Sequence, residues 1–246
     1  MKRTFRRQSY EEFAFCPVLA GMLEKSEAVG RSGKNVNISD LSTVRNLLTL
    51  RALHILSNAK RTMEVGFSSG GSSLVFTQTH KDLGALAENQ HVAIDPFQRS
   101  NWTDEAGLVA IEAANLRGYL DFREEPSCYA LPRLVDEGLK FELIYIDGSH
   151  LFEDVFIDFY FAARLVKEQG IVLFDDSSLD HVQKVLRFIR KNCKLSFREI
   201  DLSPYRPKAD NMLSYRAARA LGKIQLTGFQ KVGNASRSLD SAFNNF

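Results

Sequence analysis

From Arg61 onward, short apolar runs alternate with longer stretches in which apolar residues recur at spacings of three and four. The runs TMEVGF (62–67), HVAIDPF (91–97), YLDFREE (119–125), FELIYIDG (141–148) and GIVLFDD (170–176) predict strands. The stretch EDVFIDFYFAARLVKEQG (153–170) predicts a helix that stops at Gly170. Strand, helix and strand in repetition require crossovers, and crossovers give a mostly parallel, doubly wound α/β sheet with helices on both faces. Several of the strand runs are apolar at nearly every position, as strands covered on both sides must be. In such sheets ligands bind beyond the carboxyl ends of the strands. Acidic residues stand at those ends: Asp95, Asp147, Asp175 and Asp176.

The flanks follow this rhythm less well. Residues 1–35 read as an N-terminal arm, 36–232 as a single domain, and 233–246 as a polar tail. ISDLSTVRNLLTLRALHILSNAK predicts a helix starting near Ser39 or Ser42. LSFREI, NMLSYRAAR and IQLTGFQKVG predict antiparallel edge strands, and FAFCPVLAGML (13–23) reads as a packing helix, a lid or a subunit contact.

At 246 residues and 44% hydrophobic, the chain can bury one substantial core. Its 32 basic and 30 acidic residues are interspersed, giving a net charge of +2 that names no partner. Lys2, Arg3, Arg6 and Arg7 form a short basic start without the aromatic platform of a nucleic-acid binder, so nucleic acid is not the expected partner. Cys16, Cys128 and Cys193 are odd in number and widely spaced, which suits a reducing compartment. Glu11 and Glu12 interrupt the opening before a signal-peptide core forms, and no run approaches the ~18 apolar residues of a membrane span. A cytoplasmic protein is expected; its oligomeric state is left open.

The turn MEVGFSSGGSS after the first strand opens a helix, and its glycines permit a tight bend facing a negatively charged group. Ser68 stands where a nicotinamide-type fingerprint has its second glycine, so a dehydrogenase is the weaker alternative. Glu64 is placed to meet an amine and Ser72 a carboxylate, while Asp95 ends the next strand, where ribose hydroxyls are held. An amino acid joined to a nucleoside describes S-adenosylmethionine. With this order of motifs, residues 60–180 resemble the class I S-adenosylmethionine-dependent methyltransferases, and among them the metal-dependent O-methyltransferases of the catechol and macrolide-sugar type.

The resemblance implies a Rossmann-like seven-stranded sheet and a cofactor held by Glu64, Gly66, Phe67, Ser68, Gly70, Ser72, Asp95 and Asp147, with Ser127 and Cys128 beside the adenine. It further implies Mg²⁺ at Asp147, Asp175 and Asp176, although the catechol-type pattern has asparagine in place of Asp176. Carboxylate oxygens with room for water suit that ion independently. An alternative is that Asp176, Ser177 or Ser178 caps the following helix, and Ser149 another. His150 follows Asp147 by three residues and has the near-neutral pKa of a general base, so the catalytic residues expected are His150 and Asp147. The expected acceptor is a small hydroxylated molecule such as a sugar or phenol; a non-catalytic cofactor-binding module is a further alternative. His54, His80, His91 and His181 read as surface or half-buried residues.

Overall fold

A computed structural model describes residues 11–38, 41–100, 102–208, 210–234 and 242–246. The basic residues Lys2, Arg3, Arg6 and Arg7 lie outside them, as does Ser39. In chain order, α1 (Pro17–Lys25) and a hairpin of β1 (Glu27–Val29) and β2 (Asn35–Asn37) precede α2 (Val44–Ser57). Then come β3 (Thr62–Val65), α3 (Gly71–Asp82), β4 (His91–Ile94), α4 (Ala106–Ala113), β5 (Leu120–Arg123), α5 (Ser127–Asp136), β6 (Phe141–Ile146), α6 (Phe152–Leu165) and β7 (Val166–Phe174). The chain continues through α7 (Asp180–Asn192), β8 (Phe197–Glu199), α8 (Met212–Ala220) and β9 (Thr227–Lys231).

Seven strands form one sheet in the order β5-β4-β3-β6-β7-β9-β8, parallel except that β9 runs against both neighbours. Winding outward from β3 in both directions leaves a crevice at the carboxyl ends of β3, β4 and β6. Alternation along the strands divides two buried layers. Met63, Val65, Ile144 and Ile146 pack with Leu131, Phe159 and Leu186 on one face, while Tyr145 and Leu143 join Leu47, Phe76 and Phe67 on the other.

Three local expectations are corrected. The helix predicted over 153–170 ends at Leu165, because pairing of Phe141 with Val166 draws the next residues into β7. NMLSYRAAR is helical, not strand: Asn211 caps α8 by accepting from the amides of Leu213 and Ser214, and the Arg and Ala residues favour a helix. The helix expected near Ser39 or Ser42 starts at Val44 behind a Thr43 cap, close to the second of these, which leaves Ser42 for another role. The stretch read as an arm is packed from Phe13 onward, with Phe13, Cys16, Leu19 and Met22 buried in the core. In the tail, Phe243 and Phe246 lie against Phe188, and Asn244 exchanges hydrogen bonds with Asn192. Among the described residues no helix is long and apolar enough to cross a membrane.

Candidate functional site

The loop from β3 into α3 crosses directly over the end of β6. At Gly66, φ is +94° and an added Cβ would lie 2.0 Å from the Asp147 carbonyl oxygen, so a glycine is required for the two strand ends to meet. Asp95, 7% exposed at the end of β4, then ties the turn down. Its Oδ2 accepts from the amides of Phe67 (3.0 Å) and Ser68 (2.9 Å), and its Oδ1 from Phe97 (2.7 Å). The strand ends thus enclose a crevice of about 800 Å³.

Of the residues expected to hold a cofactor, Gly66, Ser68, Asp95, Ser127, Cys128 and Asp147 line this crevice. Glu64, Phe67, Gly70 and Ser72 do not. Glu64 is corrected most clearly: it is fully buried on the opposite side of β3, where the Ser73 hydroxyl donates to it and His91 Nε2 lies 3.5 Å away. The pleat decides this, since Met63 and Val65 face one layer and Glu64 must face the other. Phe67 packs on Phe122, while Gly70 approaches Gly107 and Ser72 is 6% exposed at the start of α3.

The histidines near Glu64 were misjudged as well. His54, His80 and His91 are at most 1% exposed. Thr62 Oγ1 lies 2.9 Å from His80 Nε2 and 2.8 Å from His91 Nδ1. Burial lowers the pKa of His54 to about 4 and that of His80 to about 2, so both are neutral. His181 is exposed and its Nδ1 accepts from the Phe152 amide.

The acidic end of the crevice is shared by β6, β7 and α2. Asp147 Oδ2 accepts from Ser42 Oγ (2.8 Å) and from the Tyr145 hydroxyl (2.9 Å). The same phenol contacts Asp175 Oδ2 at 2.6 Å, and Asn46 Nδ2 donates to Asp175 Oδ1 at 2.7 Å. Burial first, and then the charge of Asp175, raise the Asp147 pKa well above the carboxylate range. Burial and the two carboxylates likewise raise Tyr145. Like charges about 4 Å apart repel by roughly 4 kcal/mol at an effective dielectric near 20, so this end favours a cation or a retained proton.

Asp147, His150 and Asp176 each offer one donor atom, and the three atoms lie within 4.8 Å of one another. Of the expected trio of Asp147, Asp175 and Asp176, the first and last converge in this way, while Asp175 is held apart by its hydrogen bonds. Both Asp175 oxygens are claimed, by Asn46 and the Asp176 amide on one side and Tyr145 on the other. Asp176, at φ +46°, turns instead toward His150, with Oδ2 2.9 Å from Nε2. Nor does a side chain of 176–178 cap α7, whose N-cap is Leu179 without a side-chain bond; Ser149 Oγ does accept from the Leu151 amide. Ser42, Asn46 and Tyr145 went unnoticed in the sequence, though Tyr145, two before Asp147 on a strand, shares its face by parity.

Residues 63–177 match a family model described as a methyltransferase domain. Caffeoyl-CoA O-methyltransferase 1 of Eucalyptus globulus is 31% identical over 131 residues, covering 52% of this chain and 49% of that protein. Caffeoyl-CoA O-methyltransferase 2 of Petunia hybrida is 30% identical over 126 residues, covering 50% and 48%. The chain spans about half the length of the curated relatives it matches. Among solved structures, the O-methyltransferase TomG of Streptomyces achromogenes, involved in tomaymycin synthesis and in complex with S-adenosylmethionine, superposes with a TM-score of 0.61 at 15% identity, over 94% of this chain and 93% of that one. An O-methyltransferase of Bacillus cereus in complex with S-adenosylhomocysteine gives 0.56 at 17% identity, over 81% and 85%. Residues 63–177 thus match a methyltransferase domain, and the seven-stranded sheet shares the fold of solved O-methyltransferases.

Proposed function

We propose that the chain is an O-methyltransferase that moves the methyl group of S-adenosylmethionine to a hydroxyl of a small molecule, with Mg²⁺ held at the acidic end of the crevice. The observation that carries this reading is the cluster of Asp147, His150 and Asp176, which opens into the same crevice as Gly66 and Asp95. The donors fit the cation: two carboxylates with space for water suit Mg²⁺, and an adjacent imidazole widens the choice to Mn²⁺. The crevice fits the cofactor: Asp95 stands at the end of β4, and apolar Ile94, Phe97 and Cys128 line the cavity. When bound, the cofactor supplies an electrophilic methyl group and the cation supplies Lewis acidity toward a hydroxyl.

The chain's own residues do the rest. Asp147 and Asp176 would hold the cation. Ser42 and Tyr145 fix the carboxylate of Asp147, and Asn46 holds Asp175 behind it. Asp176 orients the His150 ring at Nε2, which leaves Nδ1 to take a proton from the acceptor hydroxyl. The test is a methyl-transfer screen with radiolabelled cofactor on vicinal diols and phenols, with Mg²⁺ and with chelator. Transfer that chelator abolishes supports the proposal; transfer indifferent to chelator removes the cation from it. His150→Ala should lower turnover at least a hundredfold while Mg²⁺ affinity stays within threefold, as general-base losses are roughly 10²–10⁴. A collapse of Mg²⁺ affinity instead would make His150 a ligand and not the base.

A further inference from the structure

The hairpin of β1 and β2 lies outside the residues that match the family model, yet its tip is bonded to the loop that joins β4 to α4. That loop supplies Phe97 and Trp102, both exposed, to the wall of the crevice. It also reaches the glycine turn, because Gln98 Nε2 donates to the Ser68 carbonyl at 2.6 Å. Its last two residues, Asp104 at φ +46° and Glu105 at φ +54°, are consecutive left-handed residues without a glycine. Such backbone is costly for residues with a side chain, and it persists only where its neighbours over-determine it. Donors of the hairpin tip do so here. The Arg31 amide meets the Asp104 carbonyl at 2.7 Å, and the Ser32 amide and hydroxyl meet Asp104 Oδ2 at 3.1 and 2.5 Å. The approach is so close that a Cβ at Gly30 would lie 2.2 Å from that oxygen. Arg31 also pairs with Glu105 and Glu112, but these ion pairs face solvent and hold little by themselves. The bonds to Asp104 therefore carry the attachment.

We infer that the hairpin tip is a latch for the crevice: Ser32 and Asp104 are positioning residues that hold the β4–α4 loop, and with it Phe97 and Trp102, in the conformation that binds ligand. Neither Ser32 nor Asp104 lines the crevice itself. Freed of the hairpin, Asp104 and Glu105 would relax toward the right-handed region, and Phe97 and Trp102 would move with the loop. Apparent affinity then falls by the fraction of molecules that remain latched. The inference rests on the S-adenosylmethionine reading of the crevice only for the choice of ligand in its test.

The test uses Trp102, the single tryptophan of the chain, as its reporter. Steady-state anisotropy of Trp102 emission measures the freedom of the loop without ligand, and calorimetric titration with S-adenosylhomocysteine measures binding. Asp104→Ala should lower the anisotropy and weaken binding by about fivefold or more, since the strained pair loses its hold. Asp104→Asn keeps an acceptor for Ser32 and tolerates a positive φ, so its anisotropy should match wild type and its affinity stay within about twofold. Ser32→Ala, a mild change at an exposed position, should shift both readouts in the direction of Asp104→Ala, and it decides the matter should that variant fail to fold. Wild-type anisotropy in Asp104→Ala and Ser32→Ala overturns the inference, as does a loosened loop that binds as tightly as wild type. An equal loss of binding in Asp104→Asn and Asp104→Ala overturns it too, because the acceptor would then not be what matters. Wild-type protein that fails to bind S-adenosylhomocysteine sinks the cofactor reading instead, while the ligand-free anisotropy still judges the latch.

Discussion

Asp158→Asn should stabilise the folded protein in mild alkali relative to wild type, with the advantage vanishing in acid. The folded carboxyl group keeps its proton up to about pH 7, because it is buried and has no cation beside it, while its ordinary pKa is 3.8. Between those values the folded state binds more protons than the unfolded state, so wild-type stability falls as pH rises from about 4 to above 7. A gap of about three pKa units corresponds to roughly 4 kcal/mol, present in full below pH 4 and lost above 7. Asparagine is nearly isosteric, can still accept from Ser127, and does not titrate. The difference in unfolding free energy between variant and wild type should therefore grow by roughly 4 kcal/mol from pH 4.5 to 8. For a domain of this size that is a relative rise in Tm of roughly 10 °C. Urea unfolding of both proteins at half-unit pH intervals measures it, and titrations common to both, such as those of His54 and Asp147, cancel in the difference. Parallel curves from pH 4.5 to 8 would show that Asp158 ionises normally, and the description of its surroundings would be wrong.

The remaining predictions concern Asp147 and Glu64. Asp147→Asn should weaken Mg²⁺ binding at least tenfold by calorimetry, while the relief of buried repulsion holds the denaturation midpoint at or above that of wild type; unchanged affinity would exclude Asp147 as a ligand. Glu64→Gln, which disturbs the bond to Ser73 and the pairing with His91, should cost about 1–3 kcal/mol in urea unfolding. Because Glu64 faces away from the crevice, S-adenosylhomocysteine affinity should stay within threefold, and a loss of tenfold or more would restore it to the cofactor site.

The fold was legible where burial on both faces leaves a nearly continuous apolar run, as in FELIYI and in IVLF, since such runs have few other places to go. Strand ends were drawn too long because Asp95, Asp147 and Asp175 follow their strands without a break in hydropathy. α8 was misread because its Leu and Tyr suggested an edge strand, while the Asn211 cap decided otherwise. At the site, Asp147, Asp176 and His150 were singled out by their places beyond strand ends and by the family resemblance. Facing was harder. Glu64 was assigned without regard to pleat parity, and Asp175 is captured by Asn46, a partner 129 residues away that local patterns do not reveal. The burial of His80 and His91 depends in the same way on Thr62, which sits between them only once β3, β4 and α3 have packed.

Whether the crevice beside Gly66, Asp95 and Asp147 takes S-adenosylmethionine is decided by thermal unfolding with S-adenosylhomocysteine or NAD. Ligand at ~100 times its dissociation constant stabilises by about 2.7 kcal/mol, a Tm rise of roughly 5–10 °C for a domain of this size. A rise with S-adenosylhomocysteine and none with NAD is the predicted result; a rise with NAD alone, or with neither compound, would contradict the claim.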